Sequence, residues 1–313
     1  MITYVDGYLL QSPAQTLVNT VNTVGVMGKG IAKEFKEALP EMYNEYRRLC
    51  ELGKFRTGML WTYKSEHKWV LNFPTKQDWR RPSKVEYIEQ GLRKFVESYQ
   101  QMGITSIAFP ALGCGNGGLD WPQVVKPLME RYLKSLPLQV YIYPHQQSAG
   151  LPEHETPKEI AHWMRSQPSV LSFHGFWMNI EEQLRARQEY SLASGQTINI
   201  SFGEDELVAH ERDCITKFAK EDMLDLWQQL RRTGFASATL TPASLEGRVD
   251  CLLPLLMELS YLRKVGVRTD YEESSKPGVQ FLPPASDQST NLPPKELVLQ
   301  PTSQIRPLQP VLL

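Results

Sequence analysis

The stretch "NTVNTVGVMGKGIA", residues 19–32, decides how the rest of the chain is read. It extends a short β-branched run, "TLVNTVN", and leads into a helix-like segment. Gly25, Gly28 and Gly30 let the backbone turn through φ > 0 and approach a ligand closely. A helix starting there presents unpaired N–H groups and the positive end of its dipole. The spacing is not the GxGxxG of dinucleotide folds, nor the phosphate loop GxxxxGK[ST]. Gly30 follows Lys29, so the hydroxyl that would hold magnesium is missing. Nucleotide triphosphatase and nicotinamide chemistry are therefore disfavoured. A second run, "FPALGCGNGGLDW" (residues 109–121), is placed in the same way, after a strand and before a helix. One such loop reads equally well as a tight turn. A pair reads as a grip on a diphosphate from two sides.

Working outward, residues 1–148 alternate strand-like and helix-like segments. "GIAKEFKEALPEMYNEYRRLCELG" carries Phe35, Leu39 and Tyr43 on one helical face; Pro40 divides it in two and Gly53 stops it. "VEYIEQGLRKFVESYQQMG" has an apolar stripe of Ile88, Leu92, Phe95 and Tyr99, with Gly103 as its stop. "KWVLNFP", "ITSIAFP" and "QVYIYPH" read as strands, and "PQVVKPLMERYLKSL" as a helix opened by Pro122. The alternation predicts an α/β sandwich around a mixed sheet. A polar linker, "HQQSAGLPEHETPKE", places a boundary near residue 150. Beyond it a smaller, helix-rich α+β domain is expected over residues 157–270. "QTINISF" is read there as a strand, and "EDMLDLWQQLRRTG" and "DCLLPLLMELSYLRKVG" as helices, each ending on a glycine. Residues 271–313 are rich in Pro, Ser and Gln and are expected to be a disordered or extended tail, with an apolar end, "IRPLQPVLL", suited to docking.

Bulk properties narrow the class. With 313 residues, two domains are the default. A net charge of −1 leaves any nucleic-acid contact to a local basic patch. No signal peptide and no membrane-length apolar run is found, and the four cysteines are scattered as reduced thiols are, so a cytoplasmic location is expected. The six histidines form no ligand pattern, and no metal or other cofactor is expected.

Three separated motifs, "LVNTVNTVGVMGKGIAKEFK", "FPTKQDWRRPS" and "PALGCGNGGLDW", together resemble the macrodomain, an ADP-ribose-binding fold. More narrowly they are similar to its DarG antitoxin branch, which removes ADP-ribose placed on DNA by a partner toxin, DarT. The resemblance covers the first half of the chain and implies a three-layer α/β/α sandwich with a mixed central sheet. It implies ADP-ribose contacts from Asn19, Asn22, Gly25, Met27, Gly28, Lys29, Gly30 and Ile31 in the first loop. In the second they would come from Leu112, Gly113, Cys114, Gly115, Asn116, Gly117 and Gly118. It implies as partners ADP-ribose, ADP-ribosylated single-stranded DNA and a DarT-type toxin, with no membrane. Asn19 and Asn22 keep a second reading as ordinary turn residues. The terminal ADP-ribose glycohydrolase branch is also similar, with "MGAGIA" where this chain has "MGKGIA".

By the same resemblance, Lys76 takes the place of a catalytic lysine. Cleavage at the anomeric carbon leaves an electron-poor centre that a neutral amine captures as the opened sugar's imine. Burial or the neighbouring Arg80, Arg81 and Lys84 would lower the lysine's pKa. Trp79 among those cations suits single-stranded DNA through base stacking and phosphate contacts, and equally suits a solvated loop. Two departures stand out. Gly117 occupies the position of an aspartate in the terminal glycohydrolase branch, and Tyr8 follows Gly7 where many macrodomains place an adenine-binding acid. Asp120 reads more simply as a helix cap, and Cys114 as a small packed side chain. Three functions stay open: a hydrolase removing ADP-ribose from DNA bases, thymidine foremost; a reader that binds ADP-ribose without turnover; and a toxin-binding antitoxin, compatible with the first.

Overall fold

The computed structural model describes residues 2–144, 164, 171–212, 214–269, 272–282 and 311–312. In the N-terminal half, β-branched and aromatic runs stopped by Gly, Pro or Asn become strands. These are β1 (Ile2–Asp6), β2 (Thr16–Val21), β3 (Trp61–Lys64), β4 (Trp69–Pro74), β5 (Ser106–Pro110) and β6 (Gln139–Tyr143). Between them lie α1 (Gly30–Ala38), α2 (Pro40–Glu51), α3 (Val85–Met102) and α4 (Lys126–Leu133). Pro40 opens α2 where its missing N–H costs nothing, and Gly103, at φ +80°, closes α3. The short strands β1 and β3 had no signal strong enough to assign from sequence.

These strands lie in the order β1-β6-β5-β2-β4-β3, all parallel except β3, which runs antiparallel to β4. Successive residues serve opposite faces. Leu17, Val70, Ala108 and Tyr141 pack with Phe35, Met42 and Tyr46 of α1 and α2. Val18, Leu71, Ile107 and Val140 pack with Leu92, Phe95 and Met129 of α3 and α4. Burial on both faces explains why these strands read as unbroken apolar runs, and it makes the three layers.

The C-terminal half departs from the expected organisation. It contains α5 (Phe173–Ala186), β7 (Glu189–Ser191), β8 (Thr197–Phe202), β9 (Glu206–Glu211), β10 (Cys214–Ala219), α6 (Lys220–Thr233), β11 (Phe235–Ser237), α7 (Leu253–Leu256), β12 (Leu262–Thr269) and β13 (Lys276–Phe281). Strands β10-β9-β8-β7 form an antiparallel sheet of their own, so this half is richer in strand than expected. Segment 250–266 is not one helix. It is a single turn at Val249–Cys251, the short α7 and then β12, because Pro254 restarts the helix and residues from Leu262 alternate in burial.

β12 pairs antiparallel with β1, and β13 with β12 and β11. The boundary between 1–148 and 157–270 is therefore not a boundary of the sheet, which runs through both. Arg268 lies over the Tyr4 ring at 4.1 Å across this seam, and the Tyr4 hydroxyl donates to Glu130 at 2.5 Å. Within the expected tail, Lys276–Phe281 is a paired strand, because β12 offers it an open edge. A last strand, β14 (Val311–Leu312), pairs with β3 at the far edge. The linker at 145–159 and residues 283–310 fall outside the described residues.

Candidate active site

The carboxyl ends of β2, β4, β5 and β6 point the same way, which gathers the segments after them around one crevice, the usual ligand position in parallel sheets. The crevice has a volume of ≈ 960 Å³. From the first loop it is lined by Asn22, Val26, Gly28, Lys29, Gly30, Ile31 and Ala32, and from the second by Ala111, Gly113, Cys114, Gly115, Asn116 and Gly117. The segment after β4 contributes Thr75, Lys76, Trp79 and Arg80, and Pro144 follows β6. Lining cations are Lys29, Lys76 and Arg80, and among the described residues no aspartate or glutamate lines it. The charge complements an anionic ligand.

Each loop is held by its own backbone and by its neighbours. Asn22 accepts at Oδ1 from the N–H groups of Val24 (3.0 Å) and Val26 (3.2 Å) and from the Tyr46 hydroxyl (3.1 Å). It is thus a turn residue, and it also lines the crevice. Lys29 precedes α1 in extended conformation and makes no side-chain cap to the first-turn N–H groups beside the crevice. The segment after β4 bridges the two loops. Thr23 donates from N and Oγ1 to the Gln77 carbonyl at 3.1 and 3.0 Å, and the Ser83 N–H donates to the Gly117 carbonyl at 2.9 Å.

Lys76 is half-buried between the loops, and its Nζ donates to the Asn116 carbonyl at 2.5 Å. Burial lowers its pKa from the ordinary lysine value. One N–H committed to a carbonyl leaves the nitrogen lone pair, once the amine is neutral, to face another direction. Gly117 is closed to any side chain: a Cβ there would lie 2.1 Å from the Gly113 carbonyl oxygen and 2.3 Å from Ser83 Oγ. A side chain at that point would require the loop to move. Asp120 accepts from Gln123 N at 2.6 Å and serves as the cap expected of it. Burial, with the nearby Asp120 charge, pushes the Cys114 thiol up to about 11, so it is protonated at neutral pH and no nucleophile.

Seven sequence-derived candidates are not among the residues that line the crevice. Asn19 is fully buried within β2 and donates to Asn72 Oδ1 at 3.0 Å. Met27 and Leu112 are core residues beneath their loops. Gly25, at φ +81°, turns against Arg47 and Cys50 of α2, and Gly118, at φ +75°, closes a turn onto Gly115. Arg81 and Lys84 lie beyond the rim, Lys84 5.6 Å from the Tyr87 ring. Neither Asp6 nor Tyr8 lines it; the Tyr8 hydroxyl donates to Glu34 of α1 at 2.5 Å. Residues missed from sequence include Thr75, Ala111 and Pro144, each the first residue after a parallel strand. Their signal is topological and appears only once strand order is known.

Comparison with known proteins bears on these features. The Macro domain family profile matches residues 18–128. A DNA ADP-ribosyl glycohydrolase of Thermus aquaticus is 44% identical over 147 residues, 46% of this chain and 41% of that protein. A DNA ADP-ribosyl transferase–DNA ADP-ribosyl glycohydrolase fusion protein of Thermosipho africanus is 41% identical over 161 residues, 45% of this chain and 41% of the other. The solved macrodomain of Thermus aquaticus DarG is 45% identical, with 46% of this chain and 99% of that one covered and a TM-score of 0.44. The chain thus spans about four tenths of the length of the curated relatives it matches. The matched segment is the one that builds the two glycine loops and carries Lys76, and over it this chain matches the Macro domain family and is similar to the DarG-type DNA ADP-ribosyl glycohydrolases.

Proposed function

We propose that the protein hydrolyses the bond joining ADP-ribose to a DNA base, thymidine foremost, with Lys76 as the attacking group. The observation that carries this reading is the half-buried Lys76 amine, its pKa lowered by burial, standing in a crevice lined by cations and flanked by two glycine loops. The relatives named for this reaction support it. In this reading the loop N–H groups and the uncapped start of α1 hold the diphosphate, and the ribose is directed toward Lys76. The base leaves with the bonding electron pair and takes a proton from water; a thymine N3 is an imide nitrogen and departs readily. The neutral amine forms its bond to the anomeric carbon; the ring C–O bond at that carbon then breaks, the ring oxygen takes a proton from the nitrogen, and an imine of the opened sugar results. Water adds to that carbon and returns the amine and free ADP-ribose. The closed position at Gly117 leaves no acid in this part of the loop, so the amine and the ligand's own phosphates carry the proton traffic.

The antitoxin role extends the proposal. A DarT-type ADP-ribosyltransferase is the expected partner, since one relative joins transferase and glycohydrolase in a single chain. Its contact is assigned to residues 157–270, and a DNA substrate places the activity in the cytoplasm. The experiment is release of ADP-ribose from a modified oligonucleotide by the wild-type chain and by Lys76→Ala. Loss with the variant is expected; equal rates would remove Lys76 from the mechanism. Binding of ADP-ribose with no release by either protein would leave a reader.

A further inference from the structure

Trp79 and Val26 both line the crevice while standing 45% and 38% exposed, and Val24 beside them on the first loop is 48% exposed. Two of the six large apolar side chains exposed among the described residues thus line one crevice, and a third, Val24, is two positions from Val26 on the same loop. Loose chain does not explain their exposure. Asn22 fastens the N–H groups of Val24 and Val26, and the two bonds from Thr23 to the Gln77 carbonyl strap this arm to the segment that carries Trp79. The fold therefore spends ordered backbone on presenting apolar surface to water, which suits a binding surface better than a core. The Arg80 guanidinium lies 4.2 Å from the Trp79 ring and adds a cation to the same rim.

An aromatic ring, two β-branched side chains and a guanidinium match a planar base joined to a phosphate. Building on the reading above, we propose that Trp79, Val24 and Val26 form a subsite for the unmodified nucleobase next to the modified one in a single strand, with Arg80 at the intervening phosphate. The charge of the crevice selects this occupant. The described residues that line it include three cations and no carboxylate, with Asp78 pairing Arg80 at 3.8 Å, and the balance suits a polyanion. The subsite makes the chain selective for modified bases within a strand over a modified mononucleotide or an ADP-ribosylated peptide.

The test compares one ADP-ribosylated base as a mononucleotide and within a five-nucleotide strand, using the full chain. The wild-type protein is expected to favour the strand in kcat/KM by about 5- to 150-fold, the range of one base–aromatic stack. Trp79→Ala is expected to erase that advantage through KM, read as the ratio of kcat/KM for strand over mononucleotide within each protein. Equal use of the two substrates by the wild-type chain, equal loss on both with Trp79→Ala, or an equal preference for a modified peptide would overturn the subsite. Calorimetry in the Lys76→Ala background reads the same preference without turnover. An advantage that disappears on adding Trp79→Ala supports the subsite, and one that persists overturns it, whether or not the wild-type chain cleaves. Absence of cleavage would count against the proposed activity alone.

Discussion

Gly117→Ala tests how the second loop places the lysine. Gly117 is absent from the residues with positive φ, so alanine meets no backbone penalty there and acts through space alone. Its Cβ would stand 2.1 Å from the Gly113 carbonyl oxygen and 2.3 Å from Ser83 Oγ, against the roughly 3 Å such contacts need. Relief requires the loop to move by about 1 Å, at an overpacking cost of about 1–3 kcal/mol. The adjacent carbonyl, that of Asn116, is the acceptor for Lys76 Nζ, so this movement carries the amine with it. A misplacement of about 1 Å at a reacting group costs about 10²-fold in rate. Single-turnover release of ADP-ribose from a modified oligonucleotide should fall by about that factor, with the melting transition still cooperative. Ser83→Ala in the same chain removes only the second overlap and should not restore the rate. A folded Gly117→Ala protein cleaving at the wild-type rate would refute the link from loop to lysine.

The amine must be neutral to attack, and burial lowers its pKa, so the rate should rise with pH through a value below the ordinary lysine range and level off above it. A pH–rate profile checks this, and Lys76→Arg, which cannot deprotonate, should be inactive while still binding ADP-ribose by calorimetry. Asn22→Ala removes the acceptor of two loop N–H groups and a tyrosine hydroxyl, and should cost about 1–3 kcal/mol in denaturant unfolding and weaken ADP-ribose binding. Gly91→Ala would bring a Cβ to 2.2 Å from the Phe73 ring on β4, and should destabilise by about 1–3 kcal/mol in the same assay.

Local sequence determined a good deal of this protein. The two glycine loops, the helices 85–102 and 220–233 with their glycine stops, the break at Pro40 and the lysine after "NFPT" are each decided by residues within a few positions of one another. Chirality, helix periodicity and the missing N–H of proline act at that range. Sequence also narrowed Asn19 and Asn22 to two uses each. Both are buried, and place distinguishes them: Asn19 is closed inside the sheet while Asn22 staples the first loop at the edge of the crevice. The addition of β12 and β13 to the N-terminal sheet was not legible, because a strand's partner is chosen by which edge stands open and not by its own residues. Nor was the meeting of Lys76 with the Asn116 carbonyl, or the closure of Gly117 by Ser83, each of which joins segments more than thirty residues apart. Such contacts exist only after parallel strands have brought their carboxyl ends together, which is why the chemistry of the crevice belongs to the tertiary structure.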